Sequence, residues 1–216
     1  MLKQITEWKS VRKFTNQPVE EEKLLSIMSA GRRAPSWKNI QPWRFIAITG
    51  EAEKTKLSEV FSMGALIRKA PAVILCVGAL AAWERNHQRD CLRELLSNTG
   101  VTMSNEDIDK TFLDNQIAQA LANTSSSLMA RTFENMGIAY GFMILEATNQ
   151  GLGACIVGET DNELSSVNSS RYSEIKSYFK LNTSDIITAA IILGYPAKDF
   201  VVSPRKPEGD VFQIWR

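Results

Sequence analysis

Ala34-Pro35-Ser36-Trp37-Lys38-Asn39-Ile40-Gln41-Pro42-Trp43 is the stretch on which the reading of this chain turns. Pro35 and Pro42 stiffen its two ends and remove two backbone donors. Between them Ser36, Asn39 and Gln41 present a hydroxyl and two amides, groups able to read the edge of a planar heterocycle. Upstream, Pro18 and the acids Glu20, Glu21 and Glu22 mark a helix start, and Leu24, Leu25, Ile27 and Met28 give an apolar face running to about Arg33. Downstream, residues 44–49 (RFIAIT) alternate as a strand does. The stretch is thus a loop between a helix and a strand, where binding residues concentrate on a rigid scaffold.

Two basic points flank it at a distance. Lys9-Ser10-Val11-Arg12-Lys13-Phe14 sets a hydroxyl and a guanidinium two residues apart beside an ammonium, a combination suited to a terminal phosphate. Ser203-Pro204-Arg205-Lys206-Pro207 places a second basic point between prolines near the C-terminus. Residues 1–49 hold nine Lys/Arg against four acids, while the remainder holds sixteen against twenty. A solvated face explains such a cluster, and so does a small anionic ligand.

The whole chain limits the chemistry. With 216 residues it suits one domain or at most two, and the expectation is a single domain over 1–216. A net charge of +1 argues against a nucleic-acid coat. The three cysteines, Cys76, Cys91 and Cys155, are widely spaced with no CxxC, which predicts a reducing, cytoplasmic setting without disulfides or structural zinc. The single histidine, His87, excludes a multi-histidine metal site and restricts any Ser-His-Asp or Cys-His site to that residue. No apolar run reaches the ~20 residues of a membrane span, and the opening residues lack a signal-peptide core.

Further elements follow from periodicity. Residues 4–9 read as a short helical turn, Glu51 to about Phe61 as a helix, and residues 72–77 (AVILCV) as a buried strand. Residues 84–110 are the most polar part of the chain and read as an excursion, a candidate lid, around one short amphipathic stretch from Leu92 to Leu96. The pattern from Phe112 to Gln150 is helical with a break near Asn123–Ser127. Met136 to Ala147 carries one charge, Glu146, which predicts a helix buried nearly all round. Residues 154–157 and 186–193 read as strands and 171–180 as a helix. Gly151-Leu152-Gly153 closes a helix and opens a strand, the reverse of a dinucleotide fingerprint. Cys155 lacks a basic neighbour and reads as a buried structural thiol.

Taken together, these segments resemble the flavin-dependent nitroreductases. That family's loop reads PS-x-x-N-x-QPW, matched here by Pro35, Ser36, Asn39, Gln41, Pro42 and Trp43; Ser10, Arg12 and Phe14, the passage GLGACIVG, Leu193-Gly194-Tyr195-Pro196 and Arg205 follow in the family's order. The resemblance implies an α+β fold, a mixed sheet flanked by helices in an intertwined homodimer with two FMN sites at the interface. It implies that Ser10, Arg12 and Arg205 hold the phosphate, with Lys9 and Lys206 beside them. Pro35, Ser36 and Trp37 would reach the flavin from the other subunit. Asn39 would lie near the ring with Gln41 in the same loop. Gly158 and Glu159 would offer N–H groups to the ring's N5 and O4 region. The partners implied are NAD(P)H and a small-molecule acceptor such as a quinone or nitroaromatic, in a ping-pong hydride transfer. Relatives with other flavin chemistry, reductive dehalogenation or flavin breakdown, and a non-catalytic flavin-binding regulator share these marks. Three departures stand out: Trp8 occupies a place where many members have arginine, residues 63–69 carry no clear ribityl contacts, and 84–110 has no counterpart.

Overall fold

The computed structural model describes residues 1–122 and 124–215. Four strands, β1 (Trp43–Ile48), β2 (Ala72–Ala79), β3 (Gly153–Val157) and β4 (Asp185–Gly194), form one sheet in the order β1-β2-β4-β3. All three strand pairs are antiparallel. The parallel component of this sheet is the isolated bridge between Ser10 and Ala154. The nine helices of the described residues are α1 (Lys3–Glu7), α2 (Glu21–Arg32), α3 (Glu51–Ser58), α4 (Gly64–Lys69), α5 (Arg85–Ser97), α6 (Asn105–Ile108), α7 (Gln116–Ala122), α8 (Ser125–Asn149) and α9 (Ser169–Tyr178).

The sheet is covered on both faces, which is why β2 and β4 are continuous apolar runs rather than alternating ones. Val73, Leu75 and Val77 pack with Leu57 of α3, Ile67 of α4 and Tyr172 and Ile175 of α9. Ala72, Ile74 and Cys76 pack with Leu24 and Ile27 of α2 and Met136, Tyr140 and Met143 of α8. The register slips between Cys76 and Val77: Cys76 faces Ala189 whereas Val77 faces Ile187, leaving Thr188 as the extra residue of a β-bulge. Its hydroxyl donates to the Cys76 carbonyl at 3.0 Å and accepts from Tyr140 Oη at 2.6 Å. The bulge lets Ile187 share a face with Ala190 and Ile192.

Two readings from the sequence change. The 84–110 segment is mostly helical, in α5 and α6, followed by a π-helical turn Asp109–Leu113. Leu92, Ile108 and Leu113 form its own small core. Its polarity reflects charge stitching: Arg89 Nε donates to Asp109 Oδ1 at 2.7 Å, a second Arg89 nitrogen binds Asp109 Oδ2, and Arg85 joins Asp109 and Asp114. The helix expected to be buried all round is buried only at Met136, Ala139, Tyr140, Met143 and Ala147; Gly137, Ile138 and Phe142 are exposed along one stripe. Of the expected break at Asn123–Ser127, Asn123 lies outside the described residues, and Thr124 caps α8 by accepting from Ser127 N. Gly151, at φ 75°, ends that helix.

Candidate functional site

The N-terminal basic segment is laid along β3. Val11 N donates to Ala154 O at 2.9 Å, and Val11 is buried at 2% exposure. A Cβ at Gly153 would stand 2.6 Å from the Val11 side chain, so glycine is what lets the segment approach. With Val11 turned inward, its neighbours turn outward: Arg12 is exposed, and Lys9 and Ser10 are half-buried. The indole Nε1 of Trp8 is buried and has no acceptor among the described residues. The segment is pinned again where Phe14 bridges Pro196 and Ala197 N donates to Lys13 O at 3.1 Å.

The loop 34–43 has an unusual backbone. Lys38, Asn39 and Gln41 all have φ between 51° and 56°, the left-handed region that non-glycine residues adopt at a cost. Surrounding bonds hold it there. Asn39 N donates to Ser36 O, Ile40 N to Trp37 O, and Gln41 N to Ser36 Oγ at 2.9 Å. Trp37 N donates to Oδ1 of Asn135, a buried amide on α8, at 2.9 Å. The Trp37 ring lies 5.8 Å from that of Trp83, which is buried and donates to Thr132 Oγ1. Lys38 Nζ donates to Phe112 O at 2.8 Å and sits 4.3 Å over the Trp37 ring. Burial, with the Arg85 charge added, pushes the Lys38 ammonium down to about 8. His87 Nε2 meets Ile40 O at 3.2 Å and Cys91 Sγ at 3.4 Å. Burial and the nearby Glu94 and Asp90 push the Cys91 thiol up, so that pair is not an activated nucleophile.

Gly158 and Glu159 are exposed just beyond β3. They line a cavity of about 690 Å³ with Phe61, Ser62, Phe133, Leu164 and Val167 among its walls. Ser62 Oγ donates to Glu159 Oε2 at 2.6 Å and Ser62 N to Glu159 O at 3.0 Å. The loop beyond is anchored by Asp161, whose carboxylate accepts from Ser165 Oγ, Val167 N and Asn168 N.

Ser10 and Arg12 therefore flank a residue tied to the start of β3 and Gly158 and Glu159 follow its end, while Pro35 to Gln41 belong to a loop braced against α8 and the 80–122 region. Arg205 stands apart. Its guanidinium donates to Ser203 O and Pro204 O in its own exposed tail, and among the described residues no hydrogen bond or ion pair links Arg205 or Lys206 to Lys9–Arg12. Sequence reasoning missed Asn135 and Lys38 as supports of the loop. A polar residue inside the apolar stripe of α8 was the available signal for Asn135; for Lys38 there was none. Among the described residues no cluster of three His, Cys, Asp or Glu could hold a metal, and no helix is long and apolar enough to cross a membrane.

The residues present fit a flavin mononucleotide. Four steps along the chain lead from Ala154, beside Ser10, to Gly158, and at ~3.3 Å per step they cover roughly 13 Å. That is comparable to the reach of FMN from phosphate to ring. Ser10 stands at one end with the exposed Arg12 two residues on in the same segment; a side-chain-free backbone beside a partly apolar cavity stands at the other.

Known proteins resemble the chain along most of its length. A Thermus thermophilus protein named NADH dehydrogenase is 28% identical over 210 residues, 96% of this chain and 92% of its own. A Bacillus subtilis FMN reductase (NAD(P)H) is 23% identical over 208 residues, 96% of this chain and 70% of its own. An Exiguobacterium sibiricum protein solved in complex with FMN shares the fold with a TM-score of 0.73 at 21% identity, covering 99% of this chain and 95% of its own. The sequence profile of the nitroreductase family matches residues 5–195. By that match, across nearly its full length, the chain belongs to the nitroreductase family.

Proposed function

We propose that this nitroreductase-family oxidoreductase is an FMN-dependent NAD(P)H oxidoreductase that works as a homodimer on a small quinone, nitroaromatic or similar acceptor. The observation that carries the reading is the placement of Ser10 and Arg12 near one end of β3 and Gly158 and Glu159 at the other. Bound FMN would supply hydride acceptance from NAD(P)H and its delivery to the acceptor in two separate half-reactions. The chain's own part is to bind and orient. Arg12 and Ser10 would hold the phosphate through charge-assisted hydrogen bonds. Gly158 offers a backbone that a ring can approach without meeting a side chain. Phe61 and Phe133 wall the cavity and would keep water from the reacting edge. Pro35, Ser36 and Trp37 would contribute from the second protomer, with Asn39 and Gln41 near the ring. Arg205 and Lys206 would join the phosphate once the tail packs in the dimer.

The test begins with the spectrum of the purified protein, expected to show bound flavin that NADH or NADPH bleaches. Arg12→Ala should weaken FMN binding roughly ten- to a hundredfold, since a charged hydrogen bond contributes about 1.5–3 kcal/mol. Unchanged affinity in both Arg12→Ala and Arg205→Ala would remove the phosphate assignment. Flavin that binds but is never reduced by either nicotinamide would favour the regulator reading instead.

The homodimer rests on the exposed stripe of α8. Ile138 and Phe142 are 38% and 41% exposed, and a Cβ at Gly137 or Gly141 would meet nothing within 4 Å. An apolar stripe with open glycines suits close packing against a second copy, as in core-like obligate interfaces. Gly141→Glu should abolish dimerisation and flavin binding together, because an unpaired buried charge is costly. Sedimentation showing a flavin-loaded monomer would refute it.

A further inference from the structure

Residues 80–122 grip the loop 34–43 at several points. Lys38 Nζ reaches Phe112 O at 2.8 Å and Gln88 Oε1 at 3.5 Å, His87 meets Ile40 O, and Trp83 lies against Trp37. Gln88 is itself buried, its Nε2 donating to Trp83 O at 2.7 Å. The gripped residues hold three left-handed φ values in succession of four positions, a conformation that persists only where the surroundings over-determine it. The grip needs α5 and the Asp109–Leu113 turn to stay together, since Gln88 and His87 come from one and Phe112 from the other. Asp109 joins them. It takes both Arg85 and Arg89 of α5 while standing on the turn itself.

We propose that residues 80–122 are a brace rather than a mobile lid, and that Asp109 is a positioning residue whose ion pairs keep the 34–43 loop shaped to receive the flavin. This rests on the FMN reading above. Asp109 touches neither the loop nor the cavity, so its effect must pass through α5 and the turn. The coupling runs both ways: flavin bound against the loop tightens the contact between α5 and the turn.

Asp109→Asn keeps the size and removes the charge; Arg89→Gln breaks the same pair from the other side. Two measurements are taken on each variant and the wild type: FMN affinity by equilibrium titration, and amide exchange in FMN-free protein. FMN affinity is expected to fall about tenfold, within the usual range of coupling. Protection at Asn39, Ile40 and Gln41 should fall by a similar factor while β2 and β4 keep theirs. Asp109→Glu should restore part of both. Loss of protection spread equally over the sheet would mean general destabilisation and would overturn the brace. So would a loosened α5 with unchanged loop protection and FMN affinity. A wild-type protein that takes up no FMN overturns the functional reading beneath, and the exchange measurement still decides whether the loop is braced.

Discussion

The sheet and the 80–122 brace solve the same problem by opposite means. In the sheet, every residue of β4 is buried, and β2 is buried from Ala72 to Gly78. Burial of apolar surface holds it, at about 25 cal/mol per Å² removed from water. In the brace, only Leu92, Ile108 and Leu113 form a core, and Arg85, Arg89, Asp109 and Asp114 do much of the joining. Burial is indifferent to pH and ionic strength over the ordinary range, whereas exposed ion pairs are screened by salt and cancelled by acid. A loop that takes its shape from the brace inherits that sensitivity, and a loop tied to the sheet would not.

The contrast is best broken first at the sheet. Ile191 is fully buried in the central strand, so Ile191→Ala should cost about 2–5 kcal/mol. Denaturant unfolding should show the sheet and the brace lost together. Ile108→Ala removes the same kind of side chain from the brace core and should cost about 2 kcal/mol, the low end of that range, because so small a core collapses more easily. Here exchange should rise in α5 and α6 while β4 stays protected; equal rises everywhere would erase the distinction.

The smallest effects come from pH; both tighten the structure as pH rises, but in different windows. Hydrogen bonds from Arg89, then Arg85, hold the Asp109 carboxyl well below its ordinary 3.8. Its contribution is present above that value and is lost as pH falls through the folded one, so α5 should loosen before β4 does between pH 5 and strong acid. Lys38 acts in the same sense but in the alkaline window. Docked it titrates near 8, against 10.5 in water, so the undocked form binds more protons between those values. Docking of the loop should therefore tighten as pH rises from about 8, by roughly threefold to tenfold for a half-exposed group. Protection factors at Ile40, compared at neutral and alkaline pH, would show it, and Lys38→Arg should flatten the trend.

How much of this was legible depended on what each region is made of. The strands were readable because apolar runs such as residues 72–77 and 186–193 survive any arrangement of neighbours. The ends were less so: β2 runs on to Ala79, where Gly78 and Ala79 carry no strand signal of their own. Helix α5 was missed because its sequence, RNHQRDCLRELLS, buries only Gln88, Cys91 and Leu92, too few positions for an apolar stripe to stand out. The motif Pro35-Ser36, Asn39, Gln41-Pro42-Trp43 was visible as a loop and as a family mark. Its left-handed turns were not, since Lys38 has no intrinsic preference for φ 52° and adopts it through contacts made fifty and more residues away. The exposed stripe of α8 was hidden for a different reason: an apolar face looks the same in sequence whether its cover comes from the same chain or another.

The extra residue at Thr188 gives β4 two reading frames. From Asp185 to Ile187 the strand is phased one way against the layers, and from Ala189 to Gly194 the other. A chain lacking Thr188 would pair regularly through this point, with Ile187 still opposite Val77 and on the same face, and would lose only the hydroxyl that links Cys76 O to Tyr140. A single-residue change in length is therefore accommodated at the bulge itself, whereas one made elsewhere in the strand turns every side chain beyond it to the opposite layer unless a second change restores the phase.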